Sequence, residues 1–308
     1  MTGQKNFPGG ILLLDKPQGI TSHDAVGLVR RALGTKQVGH TGTLDPLATG
    51  LLCVLAGRAV KASDLLVSDR KRYTARIKFG ISTDTGDVTG KVVESGGRIP
   101  DIEEVRKAAD AFPREYEQIP PMYSAIKVDG KKLYELARKG VTVERQPRPV
   151  SIYSFSVSET DEKDEFILDV ECSSGTYIRT LCEDLGRSIG TCATMSALRR
   201  TAACGFDVFD AVTPERLADA AAEGRAHELL LPLELAFRDI PALRVSAFYE
   251  KLLRNGCRVE TAKIPGAATA ASNRFRLYSE NGEFFAIGEK LTEEDGGERL
   301  RCVKLFVI

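Results

Sequence analysis

The sequence predicts an α+β protein built as two units, and three observations carry that prediction. Period-two apolar alternation occurs in hairpin pairs, above all Val150 to Val157 with Phe166 to Cys172. Amphipathic stretches with helix start and stop residues lie on either side, such as Asp101 to Phe112 and Ile178 to Ile189. Composition shifts after about Leu235, where Pro232 and Pro241 bracket a linker, and the roughly 70 residues beyond suit a small, mostly β domain. The full length of 308 residues agrees with two domains.

In chain order, Gly10 to Leu14 is a short buried strand. Thr21 or Ser22 caps a helix that puts Ala25, Val29 and Leu33 on one face and stops at Gly34. A loop from Gly39 to Gly50 leads into the apolar run Leu51 to Leu55, which suits a central strand, and Ala59 to Val67 reads as a helix. Tyr73 opens a strand in which Tyr73, Ala75, Ile77 and Phe79 alternate with polar residues. Asp101 with Glu104 forms a capping box ahead of Ile102, Val105, Ala109 and Phe112. Tyr123 to Val128 with Asp129-Gly130 reads as a strand entering a hairpin turn. Ile178, Leu181, Leu185 and Ile189 mark a helix from Gly175-Thr176 to Gly190, and Thr213-Pro214 starts another that ends at Gly224. The C-terminal unit offers a capped helix from Ser246 to Asn255, a hairpin at Asn281-Gly282 and a closing strand from Val303 to Ile308.

Composition excludes several classes. Hydrophobic residues at 43% and charged residues at 28% are those of a globular chain, not a disordered or fibrous one. The apolar runs Ile11 to Leu14 and Leu51 to Ala56 are far shorter than the roughly 20 residues that span a bilayer. Met1 to Pro8 lacks the apolar stretch of a signal peptide, so no membrane association is expected. Seven cysteines without a Cys-x-x-Cys pair argue against structural zinc and against a disulfide framework, and fit the reducing cytoplasm. His23, His40 and His227 share no metal-ligand spacing, so no metal is expected.

Forty-three basic residues balance forty-three acidic ones, and a net charge of zero taken whole argues against a nucleic-acid partner. Resolved by segment, the chain is polarised. Arg58 to Gly80 holds seven basic residues against two acidic, and Met122 to Val150 seven against three, while Glu159 to Glu171 holds seven acidic against one basic. Basic stretches interleaved with Tyr73, Tyr123 and Tyr134 suit phosphate contacts and base stacking, and equally suit solvated faces.

The stretch Gly39-His40-Thr41-Gly42-Thr43-Leu44-Asp45-Pro46-Leu47-Ala48-Thr49-Gly50 surrounds one carboxylate with an unusual backbone path. Read alone, Asp before Pro is a turn former. The stretch resembles the signature loop of bacterial tRNA pseudouridine-55 synthases, the TruB family. Gly10 to Gly19 (GILLLDKPQG), Lys71-Arg72-Tyr73, Pro121 to Lys132 (PMYSAIKVDGKK), Gly175 to Thr180 (GTYIRT) and Leu198 to Thr201 (LRRT) resemble the same family in the same order. The likeness covers about residues 10 to 240; the last 70 match the family's PUA-like RNA-binding domain in position and size only.

The resemblance implies a pseudouridine synthase fold: a central mixed, largely antiparallel sheet flanked by helices, plus a small β-rich PUA-like C-terminal domain. It implies a catalytic domain over residues 1–237, with an RNA-binding insertion at about 115–150, and the PUA-like domain over 238–308. The implied reaction breaks the N1–C1′ bond of uridine 55 in the tRNA T-loop and rejoins the base through C5. It needs no redox change or energy source, so no cofactor is expected, in keeping with the missing P-loop and dinucleotide fingerprint.

Carried over by position, the resemblance makes Asp45 the catalytic carboxylate, as nucleophile or as the base that leads to a glycal-type intermediate. Arg179 pairs with it and aims it; a cation at the start of a helix is disfavoured by the dipole, which itself calls for an acidic partner. Tyr73 stacks on the target base and relays the C5 proton, while Tyr177 and Leu198 form the other walls, although taken alone both read as core residues. A uridine inside a folded T-loop must be flipped out, and His40 fills the space it leaves. Lys16-Pro17 and Arg200 lie in matching segments with a supporting role. The implied partner is tRNA, through its T-loop and elbow, with no protein partner required and a monomeric state. Two other functions use the same features: pseudouridine synthesis in a different RNA, and a tRNA-folding chaperone that needs no Asp45.

Overall fold

The computed structural model describes residues 9–66, 70–128 and 130–306. The first elements are strand β1 (Gly10–Lys16), helix α1 (Ser22–Leu33), strands β2 (Val38–His40), β3 (Thr49–Ala56) and β4 (Arg70–Phe79), the hairpin β5 (Ile81–Thr83) and β6 (Val92–Ser95), and helix α2 (Ile102–Asp110). Next come β7 (Glu115–Gln118), the short pair β8 (Lys127–Val128) and β9 (Lys131–Lys132), helix α3 (Leu133–Ala137), the long hairpin β10 (Arg148–Glu159) and β11 (Glu165–Ser173), and helix α4 (Ile178–Ile189). Strands β12 (Ala193–Ala203) and β13 (Phe206–Asp207) and helix α5 (Pro214–Ala222) follow. The C-terminal unit holds β14 (Ala242–Arg244), helix α6 (Ala247–Arg254), β15 (Val259–Glu260), β16 (Arg274–Tyr278), β17 (Phe284–Thr292) and β18 (Glu298–Leu305).

The helix ends are those the residues dictate. Thr21 accepts from the Asp24 N–H while Asp24 reaches back to Thr21, and Gly34 ends α1 with φ +61°. The same reciprocal box, Asp101 with Glu104, opens α2. Thr21 is therefore the cap, which leaves the Ser22 hydroxyl free for another task described below.

The larger sheet runs β1-β3-β12-β4-β11-β10-β7, with β2 on β3 and β13 on β12. Among the described residues its pairings are antiparallel except β3 with β12. Ile11, Leu13, Leu51, Cys53 and Leu55 face one apolar cluster, and Leu12, Leu14, Leu52 and Val54 face another, shared with Ala25, Val29 and Leu217 of α1 and α5. Burial on both faces is the reason those strands are continuously apolar. On β4, Tyr73, Ala75, Ile77 and Phe79 pack against Val105, Leu181 and Leu185 of α2 and α4. Each fully buried Leu or Ile contributes about 1.5–3 kcal/mol, against a few tenths for an exposed helix ion pair, so apolar faces hold the helices to the sheet.

The C-terminal sheet, β14-β16-β17-β18-β15, stands on the outer face of β1 and β3. Its Phe284 and Phe306 lie 6.2 Å from Phe237, ring centre to ring centre. The stretch between Pro232 and Pro241 is thus not a free linker: Leu233–Phe237 is a 3-10 turn whose Phe237 is buried in a core common to both units.

Other expectations are revised in particular places. The expected helix from Ala59 is a 3-10 turn, Gly57–Ala62, its small residues tucked under β1 and β3. Tyr73 is the fourth residue of its strand, because the backbone of Arg70 to Arg72 already pairs with Glu171 to Ser173. Only Lys127–Val128 of the Tyr123 to Val128 segment is strand, and the closing strand begins at Glu298. Met1 to Pro8, Val67, Asp129 and Val307-Ile308 lie outside the described residues. Strand β12, between β3 and β4, went unforeseen: it carries four alanines, and bulges at Met195/Ala197 and Arg200/Ala202 break its alternation.

The register also corrects the charge picture. Strand β11, part of the acidic segment, lies directly beside the basic strand β4. Lys78 pairs with Asp164 at 2.7 Å, Arg76 with Glu165 at 3.7 Å and Arg70 with Glu171 at 3.3 Å. Charges summed separately along the sequence neutralise one another across the sheet.

Candidate active site

The loop holding Asp45 is clamped from three sides. Ser22 Oγ accepts from the Leu44 N–H at 2.8 Å and donates to the Leu44 carbonyl at 3.0 Å. The Gly19 N–H donates to the Pro46 carbonyl at 2.8 Å, and the Ala48 N–H closes a turn onto the Asp45 carbonyl at 3.0 Å. From β12, Arg200, only 1% exposed, donates Nε to the Leu51 carbonyl at 2.8 Å, Nη2 to Gly42 at 3.1 Å and Nη1 to Thr43 at 3.4 Å. Gly50 has φ +97°, and a Cβ there would lie 2.3 Å from the Arg200 carbonyl, so this approach requires glycine. With its carbonyls engaged by fixed donors, the loop presents Asp45 in one direction.

The Asp45 side chain is 39% exposed, and its Oδ2 forms an ion pair with Arg179 Nη2 at 3.0 Å. The Arg179 side chain is 5% exposed; it also donates to the carbonyls of Thr85 and Tyr123, both at 2.7 Å, and its Nε lies 4.0 Å from Asp87 Oδ2. Helix α4 has no acidic residue in its first turn, so Asp45 and Asp87, from two loops, supply the negative charge that a cation at this helix end demands. Asp87 is itself buried and held by Thr85 Oγ1 and the Thr89 N–H, each at 3.0 Å. Arg179 is buried, and leaving it or its partners unpaired carries a desolvation penalty of several kcal/mol.

Around Asp45 the structure gathers Arg179, Tyr73, Tyr177 and the packing of Leu198. Tyr73 is buried on β4 opposite Arg200 of β12. Burial pushes its phenol above the ordinary value while Arg200 opposes the shift. Tyr177 is the half-buried N-cap of α4, its phenol likewise raised by burial, and the Asp45 charge acts on both tyrosines. Leu198, opposite Ala75, packs half-buried against the cluster of Leu44, Ala48 and Tyr73. His40 stands apart at the end of β2, with Nδ1 buried and unpartnered among the described residues. Burial, then the nearby Arg200, lowers its pKa and keeps the ring uncharged at neutral pH.

Lys16 is fully buried, with Nζ donating to the carbonyls of Pro17 at 2.9 Å and Ile20 at 2.8 Å. Burial brings its pKa down to about 8, with the Asp45 charge opposing the shift. Between about 8 and the ordinary 10.5 the unfolded chain binds the extra proton, so stability rises with pH across that window and the gain is lost as pH falls through 8. Urea midpoints of the wild type should therefore climb relative to Lys16→Met from pH 8 to 10; a falling difference would refute the assignment.

Two side chains were not foreseen: Asp87, and Gln118, which contacts the Tyr177 backbone. In sequence, Asp84-Thr85-Gly86-Asp87 is only a turn signal, and Gln118 carries none. Among the described residues no group of three His, Cys, Asp or Glu could hold a metal ion, and no helix is long and apolar enough to cross a membrane.

Comparison with known proteins identifies the family. Residues 30–178 match the model of the TruB family pseudouridylate synthase N-terminal domain, and residues 179–238 that of the tRNA pseudouridylate synthase B C-terminal domain. Among curated relatives, tRNA pseudouridine synthase B of Alkaliphilus oremlandii is 45% identical over 250 residues, covering 81% of this chain and 82% of that protein. The protein of the same name from Clostridium tetani is 39% identical over 301 residues, 97% and 99% of the two chains. Among solved structures, one chain of a Cbf5-Nop10-Gar1 complex superposes with a TM-score of 0.73 at 23% identity, covering 97% of this chain and 85% of its own. A chain of an H/ACA RNP bound to a substrate RNA containing 2′-deoxyuridine gives 0.72 at 21%, with the same coverage. At these identities the structural likeness speaks for the fold alone.

Proposed function

The chain belongs to the TruB family of pseudouridylate synthases, and on that premise we propose that it converts uridine 55 in the T-loop of tRNA to pseudouridine, with Asp45 as the catalytic carboxylate. The observation that carries the reading is Asp45 itself: a half-exposed carboxylate in a clamped loop, paired with a buried arginine, its charge acting on the phenols of Tyr73 and Tyr177.

The flipped uracil stacks on Tyr73, with Tyr177 and Leu198 as the remaining walls. Asp45 begins the reaction, as nucleophile at C1′ or as base toward a glycal-type intermediate, and the N1–C1′ bond breaks. The base turns within the pocket and C5 bonds to C1′; the C5 proton then passes by way of the Tyr73 hydroxyl to solvent, and N1, freed from C1′, takes up a proton in its place. Arg179 holds the carboxylate in line, and His40, uncharged, fills the place the uridine vacates in the RNA. Atoms and electrons balance within the nucleotide, so no cofactor enters.

Residues 1–237 serve as the catalytic domain, the segment at about 115–150 as an RNA-contacting insertion, and residues 238–308 as a PUA-like C-terminal domain of a cytoplasmic monomer. Exposed Lys127, Lys131 and Lys139 on the insertion make no ion pair among the described residues and are open to phosphate contacts, unlike the paired cations of β4.

Substrate choice is tested with transcripts carrying 5-tritiated uridine. Intact tRNA and an isolated T-arm hairpin should release tritium stoichiometrically from one uridine. A tRNA whose T-loop is replaced by a tetraloop should release less than about 1% as fast; equal release from it would overturn the T-loop reading.

A further inference from the structure

Helix α4 carries Tyr177 at its N-cap and Arg179 in its first turn, yet no side-chain cap holds its start. Its first N–H groups need partners from elsewhere. One is supplied by a residue 59 positions earlier. Gln118, 1% exposed at the end of the sheet's edge strand β7, accepts from the Tyr177 N–H through Oε1 at 2.7 Å. It also donates Nε2 to the Tyr177 carbonyl at 3.1 Å. The second Nε2 hydrogen goes to the Tyr116 hydroxyl at 2.7 Å. Both amide hydrogens are used and the amide oxygen faces a donor. Turned over, the NH2 would confront the Tyr177 N–H, so one orientation alone satisfies the site. The Tyr116 hydroxyl also lies near the half-buried carboxyl of Asp184, about two turns further along α4, and each shifts the other's titration. The strand thus grips the helix at its N-cap.

We propose that Gln118 is a positioning residue for catalysis: by gripping both backbone polar groups of Tyr177 it fixes the first turn of α4, and with it the angle at which Arg179 meets Asp45. The inference rests on the reading of Tyr177 and Arg179 given above. It has a quantitative reason, since a displacement of about 1 Å from the productive geometry costs on the order of 10²-fold in rate, and the Gln118 contacts are what oppose such a displacement.

The test compares single-turnover rates on intact tRNA at saturating enzyme. Gln118→Leu keeps the side chain's bulk and removes all three hydrogen bonds; the rate should fall about 10- to 100-fold while tRNA affinity stays within about threefold. Gln118→Glu, which keeps the acceptor for the Tyr177 N–H and loses the donors, should fall between the two and serves if the leucine variant does not fold. Val105→Ala, in the α2 core, gives a comparison for loss of melting temperature alone and should leave the folded enzyme's rate unchanged. The deciding readout is coupling: in an Arg179→Lys background the Gln118→Leu effect should shrink to about twofold or less. An unchanged rate for Gln118→Leu, or the same factor in both backgrounds, would overturn the proposal. If Arg179→Lys and Tyr177→Phe themselves ran at the wild-type rate, the reading of the site would fail first; if they are slow and Gln118→Leu is not, only this inference fails.

Discussion

Asp45→Asn is expected to abolish turnover, lowering single-turnover tritium release by about 10⁴-fold or more, with tRNA affinity changed by no more than about threefold. The substitution is close to isosteric, and the loop that carries residue 45 is held by Ser22, Gly19 and Arg200 through backbone groups, none through the carboxylate. Fold and RNA surface should therefore survive while the charge that attacks, or withdraws a proton, is lost. The neighbouring Arg179 would still find the amide oxygen as an acceptor, which guards against collapse of the site. Substantial turnover by the variant would remove Asp45 from the chemistry. The same protein separates modification from folding assistance: if it still speeds refolding of a misfolded tRNA, a chaperone activity exists independently of Asp45.

Arg179→Met should produce the second largest loss, about 10²- to 10³-fold in single-turnover rate, together with a stability loss of about 3 kcal/mol or more by urea unfolding. The two losses have different origins. Asp45 is exposed enough for water to replace its partner, so its share of the stability loss is small. Asp87 is buried, and without the guanidinium its carboxylate keeps only the Thr85 and Thr89 contacts. The double variant Arg179→Met/Asp87→Asn should therefore regain part of the stability and none of the activity. Recovery of both, or of neither, would mean that the arginine serves Asp45 and Asp87 in some other way. Lysine is no substitute: one ammonium cannot reach two carbonyls and a carboxylate in the plane the guanidinium spans.

Much of this protein is legible along the chain because it is encoded locally. The reciprocal caps Thr21/Asp24 and Asp101/Glu104, the stops at Gly34 and Gly190, and the alternation in β4, β10 and β11 each depend on residues within one turn or one strand. The loop around Asp45 and the segments around Tyr73, Arg179 and Leu198 are contiguous motifs, so the family resemblance is visible in the chain and the candidate residues are carried over from it by position. Strand β12 was missed for an equally local reason: alanines and two bulges erase the period that marks a strand.

Only tertiary structure decided how these pieces act on one another. The basic and acidic segments looked separate until the register put β11 against β4 and paired them. Arg200, in sequence one more cation after Leu198, spans the parallel junction of β12 and β3 to hold the loop 150 residues before it. Asp87 sits in a stretch that reads only as a turn and Gln118 in one with no signal, and they become supports of Arg179 and Tyr177 through contacts between distant elements. Phe237 joins two units that composition alone would divide. Sequence by itself determined most of the elements and, through a family motif, singled out Asp45 as the carboxylate to test, because those depend on short-range periodicity, capping and motif. Which side chains aim and restrain that carboxylate depends on strand order and register, and these are settled by long-range burial of apolar faces.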